Sequence, residues 1–296
     1  MYSTRFISFL QYEKRYAEPT VRAYEHEIRG LLAFADAEQV PFIDIDYRFL
    51  RFYFSTLKEQ GKQASSINRS ISSLKSFYKF LVREGLVQEN PMATIRALKL
   101  PKRLPVVVEK EKIVKLLDTM DRQQQEVPDF ESCRDFLVIE LLFGTGIRLA
   151  ELLKIKEQDV DLNQKKILIL GKRGKERFVP VHHTLGMALE RYRSLKNEQQ
   201  FKNISSVLIV TREGKDAYSK LIYRIVNRYL SQITSQQKRS PHILRHSFAT
   251  AVLDNGADLN AIKELLGHAG LSATQVYTHN SAERLKSIYK QAHPKA

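Results

Sequence analysis

Apolar residues recur at helical spacing through the first third of the chain. Phe6, Phe9 and Leu10 mark one face, and Val21, Tyr24, Ile28, Leu31 and Leu32 mark a second, entered by Pro19-Thr20. Leu50, Tyr53, Phe54 and Leu57 form a third face, stopped by Gly61. Ile67, Ile71, Leu74, Tyr78 and Leu81 form a fourth, starting near Ser65 or Ser66 and stopped by Gly85. Apolar positions three and four apart line one side of an α-helix, and a glycine just past the run ends it. The spacing predicts a four-helix bundle over residues 1–97, with its aromatics in the core. The other side of the fourth helix carries Asn68, Arg69, Ser72, Ser73, Lys75, Ser76 and Lys79. That mixture suits phosphate and groove contact, and equally a solvated face.

Asn90-Pro91 closes the bundle, and residues 98–105 follow as Leu-Lys-Leu-Pro-Lys-Arg-Leu-Pro. Two prolines four apart among three basic residues read as an extended linker. A second domain is therefore expected over residues 106–296. Helical spacing returns at Glu109–Leu117 and at Phe130–Phe143, is broken by Gly144-Thr145-Gly146, and resumes in a short helix opened by Arg148. Lys166–Leu170 and Arg177–Val181 read as strands on either side of the turn Gly171–Lys175, which makes a β-hairpin. Helices follow at Thr184–Leu195 and Tyr218–Leu230, and Ala282–Gln291 forms a last amphipathic helix through Leu285, Ile288 and Tyr289. The expected fold is mainly α: a helical bundle, then a mixed α/β domain with a small β-hairpin or sheet.

Charge narrows the class of partner. The chain has 48 Lys+Arg against 33 Asp+Glu, a net charge of +15 and a pI near 9.7. Nucleic acid is the first partner to consider and a membrane surface the second. The excess is uneven, because residues 201–296 hold 14 Lys+Arg and only 6 Asp+Glu. The single cysteine, Cys133, excludes an intrachain disulfide or a multi-cysteine zinc site and is expected in the core. No apolar run approaches the roughly 20 residues that span a bilayer. The N-terminus lacks the apolar stretch of a signal peptide, so a cytoplasmic protein with no membrane partner is expected.

The candidate chemistry gathers in residues 238–279. His242 and Arg245 are three apart, so on a helix they share a side. Gly267 and Gly270 bracket His268 as a turn between helices would, and Tyr277 lies nine residues beyond it. Upstream, Arg148 and Glu151 are one helical turn apart, which fits either a surface pair or a carboxylate holding an arginine in place. The residue types suit phosphodiester exchange, which needs a nucleophile, donors for the non-bridging oxygens and a proton for the leaving oxygen. The Tyr277 phenol has an ordinary pKa near 10 and becomes a nucleophile where cations favour phenolate. Arg148 and Arg245 are permanently charged forks, each able to bind two phosphate oxygens. His242 and His268 can donate to the same oxygens or handle a proton. His182-His183 has no ligand-spaced partners, so no metal is expected there. His246 lies on another face from His242 and reads as packing or support. His279 is outside the expected site, and Tyr289 reads as interface.

Five blocks in order carry a resemblance to the tyrosine site-specific recombinases, and within them to the XerC/XerD type. They are Gly144-Thr-Gly-Ile-Arg-Leu-Ala-Glu151, Gly171-Lys-Arg-Gly-Lys-Glu-Arg177, His242-Ile-Leu-Arg-His246, Leu266-Gly-His268 and Tyr277-Thr-His279. The likeness extends to the N-terminal region and the tail, so it covers nearly the whole chain. It implies a SAM-like N-terminal bundle and a C-terminal domain with the fold of DNA breaking-rejoining enzymes. The two would form a C-shaped clamp on a duplex, with the linker beside the DNA. It implies Tyr277 as the nucleophile of a 3′-phosphotyrosyl intermediate, with Arg148, His242, Arg245 and His268 around the phosphate and Glu151 in support. Lys172 matches the lysine that protonates the departing 5′ oxygen. Here Arg173 intervenes before Gly174, where the family commonly has its second glycine directly after that lysine.

The resemblance further implies a double-stranded DNA partner bearing an inverted-repeat core site. It implies a homo- or heterotetramer on two duplexes, joined through the C-terminal helix, with a DNA translocase as a regulator to be tested. No cofactor is expected: the sequence has neither a P-loop nor a carboxylate cluster, and the chemistry needs neither ATP nor a divalent metal. Resolution of chromosome dimers is the leading expectation. Integration of a mobile element, relaxation of DNA by a topoisomerase and DNA binding without catalysis are the alternatives.

Overall fold

The computed structural model describes residues 2–101, 107–171, 174–201, 205–237, 239–258, 262 and 266. Its contacts divide the chain into two compact units, residues 1–103 and 104–296.

In the first unit, α1 (Tyr2–Ser8) runs into a turn of π-helix (Phe9–Glu13). Then come α2 (Glu18–Ala37), α3 (Tyr47–Glu59) and α4 (Ala64–Arg83). Pro19 sits in the first turn of α2, where a missing N–H costs nothing. Asp46 caps α3, its side chain accepting from the Phe49 N–H at 2.7 Å. The four predicted apolar faces meet in one core of Phe6, Leu10, Ile28, Leu31, Leu50, Leu74, Phe77 and Leu81 with their neighbours. The linker enters under restraint: Asn68 Nδ2 donates to the Leu98 carbonyl at 2.8 Å, and the Leu98 N–H donates to Asn68 Oδ1 at 2.7 Å.

The second unit is built around α6 (Phe130–Thr145). α5 (Lys110–Glu126), α8 (His183–Glu198), α9 (Ser219–Ile233) and α10 (Pro241–Asp254) pack on it. Fourteen of its sixteen residues are buried, the charged Arg134, Asp135 and Glu140 among them, so it is enclosed all round where a surface helix would show a stripe. Asp129 caps it, accepting from the Glu131 and Ser132 N–H groups. Cys133 lies in this core. α5 runs nine residues past the predicted Leu117. Met120 and the buried Gln124 continue its inner face, and the polar run Asp121–Gln125 conceals that periodicity.

The predicted hairpin is present as β2 (Lys166–Leu170) and β3 (Glu176–Pro180), in register from Lys166↔Pro180 to Leu170↔Glu176. A strand that the alternation does not reveal, β1 (Val160–Asp161), pairs antiparallel with β2 and makes a three-stranded sheet. Two residues are too short to display a period of two. Among the described residues, no helix is long and apolar enough to cross a membrane.

Candidate functional site

Two helix ends and one strand build the site. α6 stops at Gly146, whose φ of +62° is a left-handed conformation that a side chain resists. The turn delivers Arg148 to the mouth of α7 (Leu149–Leu152). Glu151, in the third position of that helix, reaches back to its start. Its Oε2 accepts from the Arg148 backbone N–H at 2.9 Å, and its Oε1 accepts from Arg148 Nη1 at 2.9 Å. The helix thus closes on itself as a capping box does, and the same carboxylate fixes the arginine side chain. Of the two sequence readings of this pair, the structure selects the buried carboxylate: the Glu151 side chain is 6% exposed.

Glu151 has a further partner on β3. Arg177 Nη1 donates to Oε1 at 3.1 Å and Nη2 to Oε2 at 2.8 Å. The spacing assigns Arg177 no role. The available signal is strand alternation, because Arg177 and Val179 share the buried side of β3, where an apolar residue is the usual occupant. Burial pushes the Glu151 carboxyl up, but hydrogen bonds from Arg177 and Arg148 and the Arg177 charge outweigh it. The group is held below its usual carboxylate range.

α10 brings the second arginine. Pro241 opens the helix, His242 lies in its first turn and is exposed, and Arg245 one turn on is 7% exposed. Arg245 Nη1 donates to the Gly146 carbonyl and Nη2 to the Leu266 carbonyl, both at 2.6 Å. Burial, and next to it the Arg148 charge, lower its pKa to about 10, so it remains a cation at neutral pH. The charges of Glu151 and Arg177 act on it as well. Arg148, Arg177, Arg245 and Glu151 therefore converge: two guanidinium groups grip one carboxylate and a third lies within electrostatic reach of them, leaving an excess of positive charge. The Arg148 side chain is the most open of the four, at 35% exposed. Such a cluster attracts an anion, and the planar forks match the oxygens of a phosphate.

Of the other expected site residues, Lys172, His268 and Tyr277 lie outside the described residues, as does the segment 282–291. The hairpin turn that carries Lys172 closes through the Gly171 N–H donating to the Lys175 carbonyl at 2.7 Å. His246 is exposed on α10 and packs into no core. His182 caps α8, its Nδ1 accepting from the Leu185 N–H at 3.4 Å, and its Nε2 is 2.9 Å from the buried Glu140 Oε1. Among the described residues, no group of three or more His, Cys, Asp or Glu side chains is placed to hold a metal ion.

Comparison with known proteins adds to this geometry. Residues 107–284 match the model of the phage integrase family, and residues 4–85 match that of the phage integrase N-terminal SAM-like domain. The chain is 34% identical over 293 residues to the tyrosine recombinase XerD of Staphylococcus haemolyticus, covering 98% of each. It is 36% identical over 300 residues to the tyrosine recombinase XerC of Listeria innocua, covering 99% of this chain and 97% of that one. Among solved structures, a post-cleavage complex of the XerH site-specific recombinase bound to palindromic difH substrate superposes with a TM-score of 0.73. That match has 22% identity and covers 96% of this chain and 83% of that one. The integrase of transposon Tn1549 superposes with a TM-score of 0.69, at 18% identity, over 97% of this chain and 98% of that one. These two likenesses establish the fold, a mainly helical one with a small antiparallel sheet.

Proposed function

The chain belongs to the phage integrase family as a tyrosine recombinase, and from that premise we propose how its residues cleave and rejoin double-stranded DNA. The Tyr277 phenol oxygen attacks a backbone phosphorus. A phosphotyrosyl bond forms at the 3′ side, and the bond to the 5′ oxygen breaks. Arg148 and Arg245 hold the non-bridging oxygens, His242 and His268 donate to them or carry the phenol proton, and Lys172 protonates the departing 5′ oxygen. Glu151 keeps Arg148 in place. A 5′ hydroxyl from a second duplex then attacks the phosphotyrosine in the reverse sense, so the bond energy is conserved without ATP.

The observation that carries this reading is the convergence of Arg148 and Arg245 on one carboxylate-braced cationic site from positions 97 residues apart. The DNA partner is supported by the net charge of +15 and by relatives named XerC and XerD that match over nearly the whole chain. The proposal extends to a finer reading. Two protomers bind an inverted-repeat core site and four form the synapse through residues 282–291, in the cytoplasm, to resolve chromosome dimers. Control by a DNA translocase belongs to the same reading.

The test is trapping. Wild-type protein on a nicked duplex carrying an inverted-repeat core should form a covalent adduct that survives a denaturing gel, and Tyr277→Phe should bind the same duplex and form none. An adduct that persists in Tyr277→Phe removes Tyr277 from its role. Relaxation of a supercoiled plasmid without strand exchange would instead place the chain with topoisomerases.

A further inference from the structure

We propose that Arg177 is a positioning residue of this site: its guanidinium grips the Glu151 carboxylate, which leaves the charge of Arg148 available to an anion. The inference rests on the phosphodiester reading above and deepens it. Its ground is geometric. Arg177 engages both oxygens of Glu151, at 3.1 and 2.8 Å, and each side chain of the pair is only 6% exposed. Arg148 meets the same carboxylate through one side-chain nitrogen and its backbone N–H, and its side chain is far more open.

Consider the cluster without Arg177. Glu151 and Arg148 would form a simple ion pair, close to neutral toward a third charge. A phosphate would then have to compete with the carboxylate for the arginine. With Arg177 in place the carboxylate is already matched by a buried cation, and Arg148 keeps its attraction for an incoming anion while its side chain stays anchored. Arginine suits the task because its fork is planar and two-pronged and its charge persists under burial, whereas an ammonium is a single point.

There is a second consequence. Glu151 must be ionised to hold Arg148, and burial works against ionisation. Arg177 provides the first of the hydrogen bonds that reverse that tendency. Arg177 and Arg148 engage the same Glu151 carboxylate, so the action of Arg177 passes through Glu151 to Arg148.

The experiment uses the full chain with Arg177→Lys and Arg177→Gln, alone and combined with Glu151→Gln. Duplex affinity, single-turnover adduct formation on the nicked duplex from mildly acidic to neutral pH, and thermal melting are each measured. Arg177→Lys keeps a buried cation and is expected to bind DNA as wild type does while forming adduct more slowly, on the order of 100-fold. Arg177→Gln should show a rate that falls as the pH drops below neutral, over a range where wild type holds steady, because Glu151 now protonates there. The double variant should be no slower than the slower single, since both changes break one linkage. Adduct formation by Arg177→Lys at the wild-type rate overturns the proposal, as does a double variant whose losses multiply. Should Arg177→Gln fail to fold, Arg177→Lys alone decides. A wild-type chain that makes no adduct sinks the phosphodiester reading and this inference with it; a normal wild-type adduct with indifferent Arg177 variants sinks this inference alone.

Discussion

The Arg245 guanidinium donates to the backbone carbonyl of Gly146 at 2.6 Å, across 99 residues of chain. The bond ties α10 to the end of α6 and sets the second arginine beside the first. Gly146 is thus both the stop signal of a helix and a ligand of the site. A Cβ at this position would lie 2.8 Å from Leu266 Cδ2 and would press into the Phe248 ring.

Gly146→Ala should therefore be destabilising twice over, through its positive φ and through overpacking. The expected loss is roughly 3 kcal/mol. Urea unfolding would register it as a lower midpoint at unchanged slope, and adduct formation should fall in parallel. A midpoint equal to that of wild type would show that the turn is not constrained as described.

Arg245→Lys replaces a fork by a point donor. A lysine cannot reach the Gly146 and Leu266 carbonyls together while also facing a phosphate. Adduct formation should drop by about 100- to 1,000-fold, in the range seen when one preorganised donor is removed from a developing oxyanion. Duplex affinity should change little, because phosphates elsewhere along the groove carry most of it. Equal losses of affinity and rate would assign Arg245 to binding alone.

Glu151→Gln tests the carboxylate through pH. A carboxyl held low in the folded state adds stability above its unfolded pKa of about 4.3, and that stability is lost as the pH falls through the lower folded value. Wild type should exceed Glu151→Gln by about 3 to 5 kcal/mol at neutral pH, the cost of taking the carboxylate from the buried Arg177. The gap should narrow below about pH 4. Chemical unfolding of both proteins at several pH values measures it, and a gap independent of pH would contradict the ionised pair.

Tyr78 sits in the core of the N-terminal bundle, 1% exposed, and among the described residues its hydroxyl has no hydrogen-bond partner. Burial raises its pKa well above the ordinary phenol value. Tyr78→Phe removes the unsatisfied oxygen and keeps the ring stacked near Phe42. It should stabilise the unit by about 1 kcal/mol and raise Tm by several degrees in a thermal scan. A lower Tm would reveal a partner for the hydroxyl.

Among the described residues, the sequence by itself determined the helices and the hairpin, and it singled out Arg148, Glu151, His242 and Arg245 as chemically apt. Those signals are local: apolar spacing, a proline at a helix start, a glycine at its stop, a basic turn between two alternating runs. Tertiary structure decided what the local signals leave open. It chose between the surface and buried readings of Arg148–Glu151, because Arg177 reaches the carboxylate from β3 and the pair is buried together. It separated His242 from Arg245 by exposure, since α10 lies against α6 on one side only. β1 escaped the sequence because two residues hold no period, and Arg177 escaped because a charge on the inner side of a strand acquires meaning only from the group it meets across the core.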